Sequence, residues 1–260
     1  MILDQLVQAS QQRVEAVPVT DRLRYIQEAR EMTTPVPSFE TMLAQPGLQI
    51  IGEVKRASPS KGLIAPDFDY LQIAQDYVAA GIDAISVLTE PQYFQGQLAY
   101  LQAIAHTVTV PTLRKDFIVD ASQIASARIA GASAVLLIVA ILTPVQLQAF
   151  ITLAHELNLS ALVEAHTATE VQQAVAAGAR IIGINNRNLK DFSVDFATSC
   201  QLRQAVPAAC YVVAESGIQT AAQVQQLAAA GFDGMLVGET LMRASDKGQA
   251  LLQLRAGVRG

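Results

Sequence analysis

Four stretches decide the fold: YVAAGIDAISVL at 77–88, ARIAGASAVLLI at 127–138, AVAAGARIIGIN at 174–185 and LAAAGFDGMLVG at 227–238. All four share one grammar. A helix of small residues ends in Ala-Gly, and an apolar, β-branched run follows. Glycine just past a helix end takes the left-handed position without a Cβ penalty. Strands that are apolar at every position are the kind covered on both faces, as in parallel sheets. The glycines, Gly81, Gly131, Gly178 and Gly231, stand 50, 47 and 53 residues apart. That period is too long for one strand–helix unit of roughly 30 residues and right for two compact ones.

Further strands must therefore lie between, and candidates do: LQIIGEVK at 48–55, PTLRK at 111–115, LSALVE at 159–164 and ACYVVAE at 209–215. With 84–89, 134–139, 181–185 and 234–237 they make eight. Helical patterns separate them, for example 70–80 and 144–158. Thr143 is positioned to cap the latter, with Pro144 at its first helical position. Eight alternating units predict an α/β fold, a single TIM (β/α)8 barrel. The runner-up is a doubly wound open sheet, but no GxGxxG turn follows the first strand. One domain is expected over 1–260, with the barrel at 48–260 and an N-terminal helical extension at 1–47. In that extension DRLRYIQEAREM (21–32) and PVPSF (35–39) read as short helices leading into an extended stretch.

Composition narrows the function. The chain has 260 residues, 51% hydrophobic and 16% charged, with a formal net charge of −5. So apolar a chain folds rather than staying disordered, and a net acidic one does not offer a broad nucleic-acid surface. Cys200 and Cys210 form no disulfide framework and read as reduced packing residues, which suits the cytoplasm. The N-terminus lacks the pattern of a secretory signal. The longest apolar stretch, AVLLIVAIL at 134–142, falls well short of the ~20 residues of a membrane helix and reads as a buried strand running into a loop. The three histidines show no metal-ligand spacing. His155 is expected exposed on a helix and His166 on the rim of the site. No P-loop and no GxSxG elbow occur.

Barrels of this kind place their sites at the C-terminal ends of the strands. The polar residues there are Glu53, Lys55, Arg56, Thr89, Glu90, Arg114, Lys115, Asp116, Glu164, Asn185, Asn186, Arg187, Glu215, Ser216 and Glu239. Glu53 and Lys55 are two apart and share a face. Glu90, Asp116 and Arg114 read as ordinary solvated strand ends. Glu53, Lys55, Lys115 and Glu164 follow apolar runs so closely that their desolvation calls for partners. Two lysines and two glutamates converging on one barrel mouth suit acid–base chemistry. Gly217 and Gly238 close the seventh and eighth strands, where their freed N–H groups and a short helix starting near Glu239 suit a phosphate. The polar loop 57–64 is a candidate lid, and its Ser58 a candidate phosphate donor.

With those residues in view, the chain resembles the indole-3-glycerol phosphate synthase family over about 48–245. GEVKRASPSKG (52–62) is the most specific motif. SVLTEPQYFQG (86–96), LRKDFIVD (113–120), LLIVAIL (136–142), LVEAH (162–166), GINNRNL (183–189), AESGI (214–218) and LVGETLMR (236–243) follow in family order. The resemblance implies ring closure, decarboxylation and dehydration of 1-(2-carboxyphenylamino)-1-deoxyribulose 5-phosphate in tryptophan biosynthesis. It implies Lys115 as the acid, a lysine with its pKa lowered by burial or neighbouring cations, and Lys55, Glu53 and Glu164 as the other catalytic groups. Asn185 and Arg187 would grip the substrate's carboxylate and hydroxyls. Ser58 with the backbones of Gly217, Gly238 and Glu239 would cradle the phosphate, and Glu215 and Ser216 would line that end. Phe94, Phe117, Leu136 and Leu189 would wall the anthranilate ring. Glu239 departs from the serine of several relatives, so only its N–H is expected to serve. No metal or organic cofactor is implied. The expected partner is the phosphorylated small molecule, with no nucleic acid and no membrane, for a cytoplasmic monomer open to association with other enzymes of the pathway. A phosphoribosylanthranilate isomerase would not call for this lysine–glutamate set. A non-catalytic phosphosugar-binding barrel would keep the glycine loops but need not keep Lys115 and Glu164.

Overall fold

The computed structural model describes residues 2–188 and 192–257. Three helices come first: α1 (Ile2–Glu15), α2 (Val19–Glu31) and, after an extended stretch, α3 (Phe39–Leu43). Strand β1 (Gln49–Val54) is followed by a small hairpin, β2 (Ala57–Ser58) with β3 (Gly62–Leu63). Helices and strands then alternate: α4 (Tyr70–Ala79), β4 (Ala84–Leu88), α5 (Leu98–Thr107), β5 (Thr112–Lys115), α6 (Ala121–Ile129) and β6 (Ala134–Ile138). A 3-10 turn and α7 (Pro144–Glu156) lead to β7 (Ser160–Ala165), α8 (Ala168–Ala176), β8 (Ile181–Asn185), α9 (Ala197–Arg203) and β9 (Tyr211–Glu215). The described chain ends with α10 (Ala221–Ala229), β10 (Gly234–Val237), α11 (Glu239–Arg243) and α12 (Lys247–Arg255).

The eight long strands form a closed parallel barrel, a TIM barrel, in which β1 pairs with both β4 and β10. The helix–glycine–strand grammar is built as read: Gly81, Gly131, Gly178 and Gly231 have φ of +80°, +86°, +90° and +77°. The Thr143 hydroxyl accepts from Gln146 N–H, and Gln146 returns a bond to the Thr143 backbone, a reciprocal cap. The apolar run at 134–142 is buried strand β6 and the 3-10 turn after it.

Strand alternation sorts the side chains into two cores. Ile50 and Val54 of β1 pack outward against the helices with Tyr77, Ile85 and Ile182. Ile51 points into the lumen with Leu113, Leu136, Leu162, Ile181 and Val213. Phe39 and Leu43 of α3 join the lumen cluster, and Leu43 Cδ2 lies 2.8 Å from where a Cβ on Gly234 would stand. The short helix therefore plugs the N-terminal end of the barrel. The opposite end remains hollow. No helix among the described residues is long and apolar enough to cross a membrane.

Candidate active site

The hollow end is a cavity of about 740 Å³ to which each of the eight barrel strands contributes, and it carries the charges that the strand ends deliver. Glu53 ends one lumen-facing row of β1, and Lys55 follows two residues on, bonded to the Glu53 carboxylate through Nζ. Lys115, the last residue of β5, places Nζ 3.3 Å from Glu215 Oε2 and 3.7 Å from Glu164 Oε2. Glu164 comes from β7 and Glu215 from the end of β9. All three carboxylates are buried.

Their surroundings set their charge. Burial alone would push Lys115 toward neutrality, but Glu215, Glu164 and Glu53 overcome it and hold the ammonium above the ordinary lysine range. A lowered lysine is what the resemblance implies; the ring of carboxylates reverses that sign. Burial pushes the Glu215 carboxyl up to about 8, with Lys115 opposing the rise and Glu164 and Glu53 adding to it. Burial would likewise raise Glu53, yet Lys55, Lys115 and Arg187 hold it below the usual range. Buried acids with opposite shifts side by side are what acid–base chemistry needs.

Two glycines make room for this cluster. A Cβ on Gly183 would stand 2.2 Å from Glu215 Oε1, and one on Gly238 would stand 2.2 Å from Glu53 Oε2 and 2.9 Å from Lys55 Nζ. Gly238 thus seats an ion pair as well as closing a turn.

The expected binding residues line the same cavity. Asn185 Oδ1 accepts the Arg187 N–H, and Arg187 Nη1 donates to Phe192 O. Phe94 and Phe117, with ring centroids 6.1 Å apart, share the wall with Leu136. Leu189 lies outside the described residues. Ser58, Ser216, Gly217, Gly238 and Glu239 border the other side. Ser216 and Gly217 both have positive φ, +68° and +76°. The Glu239 carboxylate is engaged by Arg243 at 3.1 Å and by Lys61 of the β2–β3 hairpin at 3.6 Å. Glu215, read from sequence as part of the phosphate end, contacts Lys115 instead.

Three residues that look like solvated strand ends are buried, and the reason is a network. Asp116, 1% exposed, accepts from Arg13 (2.7 and 3.2 Å), Arg114 (3.0 Å), Thr89 (2.7 Å) and the Phe117 N–H (2.9 Å). Arg114 also donates to Gln123 O and Ser126 Oγ. Glu90 accepts the N–H groups of Gln92, Tyr93 and Phe94, which shapes the turn that carries the Phe94 ring. Helix α1 takes part: Ser10 Oγ donates to Phe117 O at 2.5 Å, and Leu6 joins the cavity wall. Sequence reading missed Leu6, Ser10 and Arg13; the signal available was a polar pair at 10 and 13 on a helix face with no other use. His155, expected exposed, is partly buried. His166 sits against Glu164 and Glu170 and not on the cavity wall. Among the described residues no group of three or more His, Cys, Asp or Glu has the geometry to hold a metal ion.

A closed parallel barrel with partly buried lysines and buried glutamates at its C-terminal mouth defines a TIM barrel with a charged cavity at the end where enzymes of this fold carry their sites. The chain belongs to the indole-3-glycerol phosphate synthase family, the carboxy-lyases that form indole-3-glycerol phosphate in tryptophan biosynthesis. The family model, "Indole-3-glycerol phosphate synthase", matches residues 3–254. The indole-3-glycerol phosphate synthase of Lactiplantibacillus plantarum is 87% identical over 260 residues, covering 100% of both chains. That of Lacticaseibacillus paracasei is 53% identical over 253 residues, 96% of this chain and 97% of its own. Among solved structures, 3-hexulose-6-phosphate synthase from Salmonella typhimurium superposes with a TM-score of 0.64 at 16% identity, over 82% of this chain and 99% of that one. A mandelate oxidase does so at 0.64 and 20%, over 80% and 72%. At such identities the likeness is one of fold.

Proposed function

We propose that this chain closes the indole ring of 1-(2-carboxyphenylamino)-1-deoxyribulose 5-phosphate by lysine–glutamate acid–base catalysis. The observation that carries the reading is the Lys115 ammonium between Glu164 and Glu215, opposite the Lys55–Glu53 pair, in one cavity.

The aniline ring carbon of the substrate attacks the C2 ketone, so negative charge develops on the ketone oxygen. A proton delivered as that charge appears lowers the barrier. Lys115, kept charged by its carboxylates, is the donor in this reading. Loss of CO2 restores the ring electrons, which the aromatic amine supplies itself. Loss of water then needs one proton given to the departing hydroxyl and one removed from the ring carbon. Lys55, Glu53 and Glu164 serve these steps, and Glu215, whose carboxyl burial pushes up to about 8, is a further proton carrier within reach of Lys115. Arg187 and Asn185 take the carboxylate and hydroxyls, a task suited to the planar guanidinium fork. Phe94, Phe117 and Leu136 hold the aromatic ring, to which Leu6 adds an apolar contact. Ser58 and the N–H groups of Gly217, Gly238 and Glu239 take the phosphate, while the Glu239 carboxylate is kept occupied by Arg243 and Lys61. The enzyme in this reading is a cytoplasmic monomer that needs neither metal nor organic cofactor.

The direct experiment mixes purified protein with the carboxyphenylamino substrate and follows the indole chromophore. Glu164→Gln should cut kcat far more than it raises KM. A variant with wild-type kcat removes Glu164 from the chemistry.

A further inference from the structure

Glu164 has a second cationic neighbour that the chemistry above leaves unused. Its Oε2 faces Lys115 at 3.7 Å, and its Oε1 faces His166 Nε2 at 3.5 Å. His166 follows β7 two residues after Glu164, so strand alternation brings both side chains to one side. Its other ring nitrogen, Nδ1, lies 3.4 Å from Glu170 Oε2, and that same oxygen accepts the His166 backbone N–H at 2.8 Å. Glu170 is itself fixed in the first turn of α8, where its N–H donates to the Thr167 cap. The imidazole is thus tethered from behind by one carboxylate and aimed at another, with its side chain 14% exposed. The other cations are committed elsewhere: Lys55 to Glu53, and Lys115 most closely to Glu215.

We propose that His166 is a positioning residue for the reaction: its imidazolium, braced by Glu170, orients the Glu164 carboxylate toward Lys115. The role rests on the catalytic reading of Glu164 given above. His166 does not line the cavity and acts through Glu164 alone. The charged groups facing it are Glu164 from β7, Glu170 from α8 and Glu215 from β9. Burial disfavours its cationic form, but the Glu170 hydrogen bond and the charges of Glu164, Glu170 and Glu215 prevail and raise it above the ordinary histidine value. The positive charge therefore persists to higher pH than on an ordinary histidine and is lost as pH rises through that raised value.

The test compares kcat/KM of wild type and H166Q from about pH 5.5 to about pH 9.5, because glutamine keeps a neutral donor of similar reach. At about pH 6 the variant should be about tenfold slower, the effect of losing one cation beside a carboxylate in a wet site. The ratio should close toward one as wild-type His166 loses its proton. A ratio that is the same at every pH is the mark of a merely structural residue and overturns the proposal, as does an unchanged rate at pH 6. A second readout does not depend on activity. In the full-length protein the NMR titration midpoint of His166 should fall in both E164Q and E170Q. Midpoints that stay put overturn the pairing itself, whereas an E164Q enzyme of wild-type kcat overturns the catalytic reading of Glu164 and this role with it.

Discussion

Asp116→Asn tests how the extension, the barrel and the site are tied together. The carboxylate is wholly buried and satisfied by Arg13 from α1, Arg114, Thr89 and the Phe117 N–H. Burial would raise it, but Arg114 and Arg13, with the Thr89 hydroxyl, hold it down at about 2. Against an unfolded value near 3.9, that depression corresponds to about 2–3 kcal/mol of folding stability. The sign follows from a folded value below the unfolded one. The contribution is complete above about pH 4 and is lost as pH falls toward about 2. The asparagine variant also leaves the Arg114 guanidinium, 5% exposed, without its counter-charge. Removing one partner of a buried ion pair costs about 3–5 kcal/mol. Urea unfolding at neutral pH should therefore show a loss of that size, and the difference between variant and wild type should shrink as the pH is lowered from about 5 to about 2.5. A variant within about 1 kcal/mol of wild type at neutral pH, or a difference independent of pH, refutes the network as a source of stability.

Gly183→Ala puts a methyl 2.2 Å from Glu215 Oε1 and should lower kcat by about tenfold or more while the fold survives, since the far end of a side chain can move; circular dichroism with steady-state kinetics decides. Ser10→Ala removes the shorter of two donors to Phe117 O, leaving Gln123 Nε2 at 3.3 Å, and should cost about 0.5–1.5 kcal/mol in urea unfolding, as the loss of one hydrogen bond does, with KM rising as the Phe117 wall loosens. Inorganic phosphate should compete with substrate in initial-rate assays; indifference to it counts against the Ser58, Gly217 and Gly238 cradle.

The barrel was legible because its signals are local. Each Ala-Gly end with a β-branched run after it needs only a left-handed residue and a strand buried on both faces. The strand-end rule also placed Glu53, Lys55, Lys115 and Glu164 around one cavity. What escaped depends on distant chain. Asp116 and Arg114 look solvated until Arg13, about a hundred residues earlier, covers them. The charge on Lys115 depends on how many carboxylates reach it, and a string of letters counts neighbours along the chain, not across a lumen. Glu215 belongs beside Lys115 because Gly183 leaves it space on the next strand, a fact of register and not of motif.

The central claim is that Lys115 delivers the proton for ring closure while other groups hold the substrate. The most direct measurement is Lys115→Met under single-turnover conditions, with substrate affinity measured separately on the same protein. The rate of indole formation should fall by about a thousandfold with the dissociation constant changed less than about threefold. A methionine variant that closes the ring at close to the wild-type rate contradicts the account.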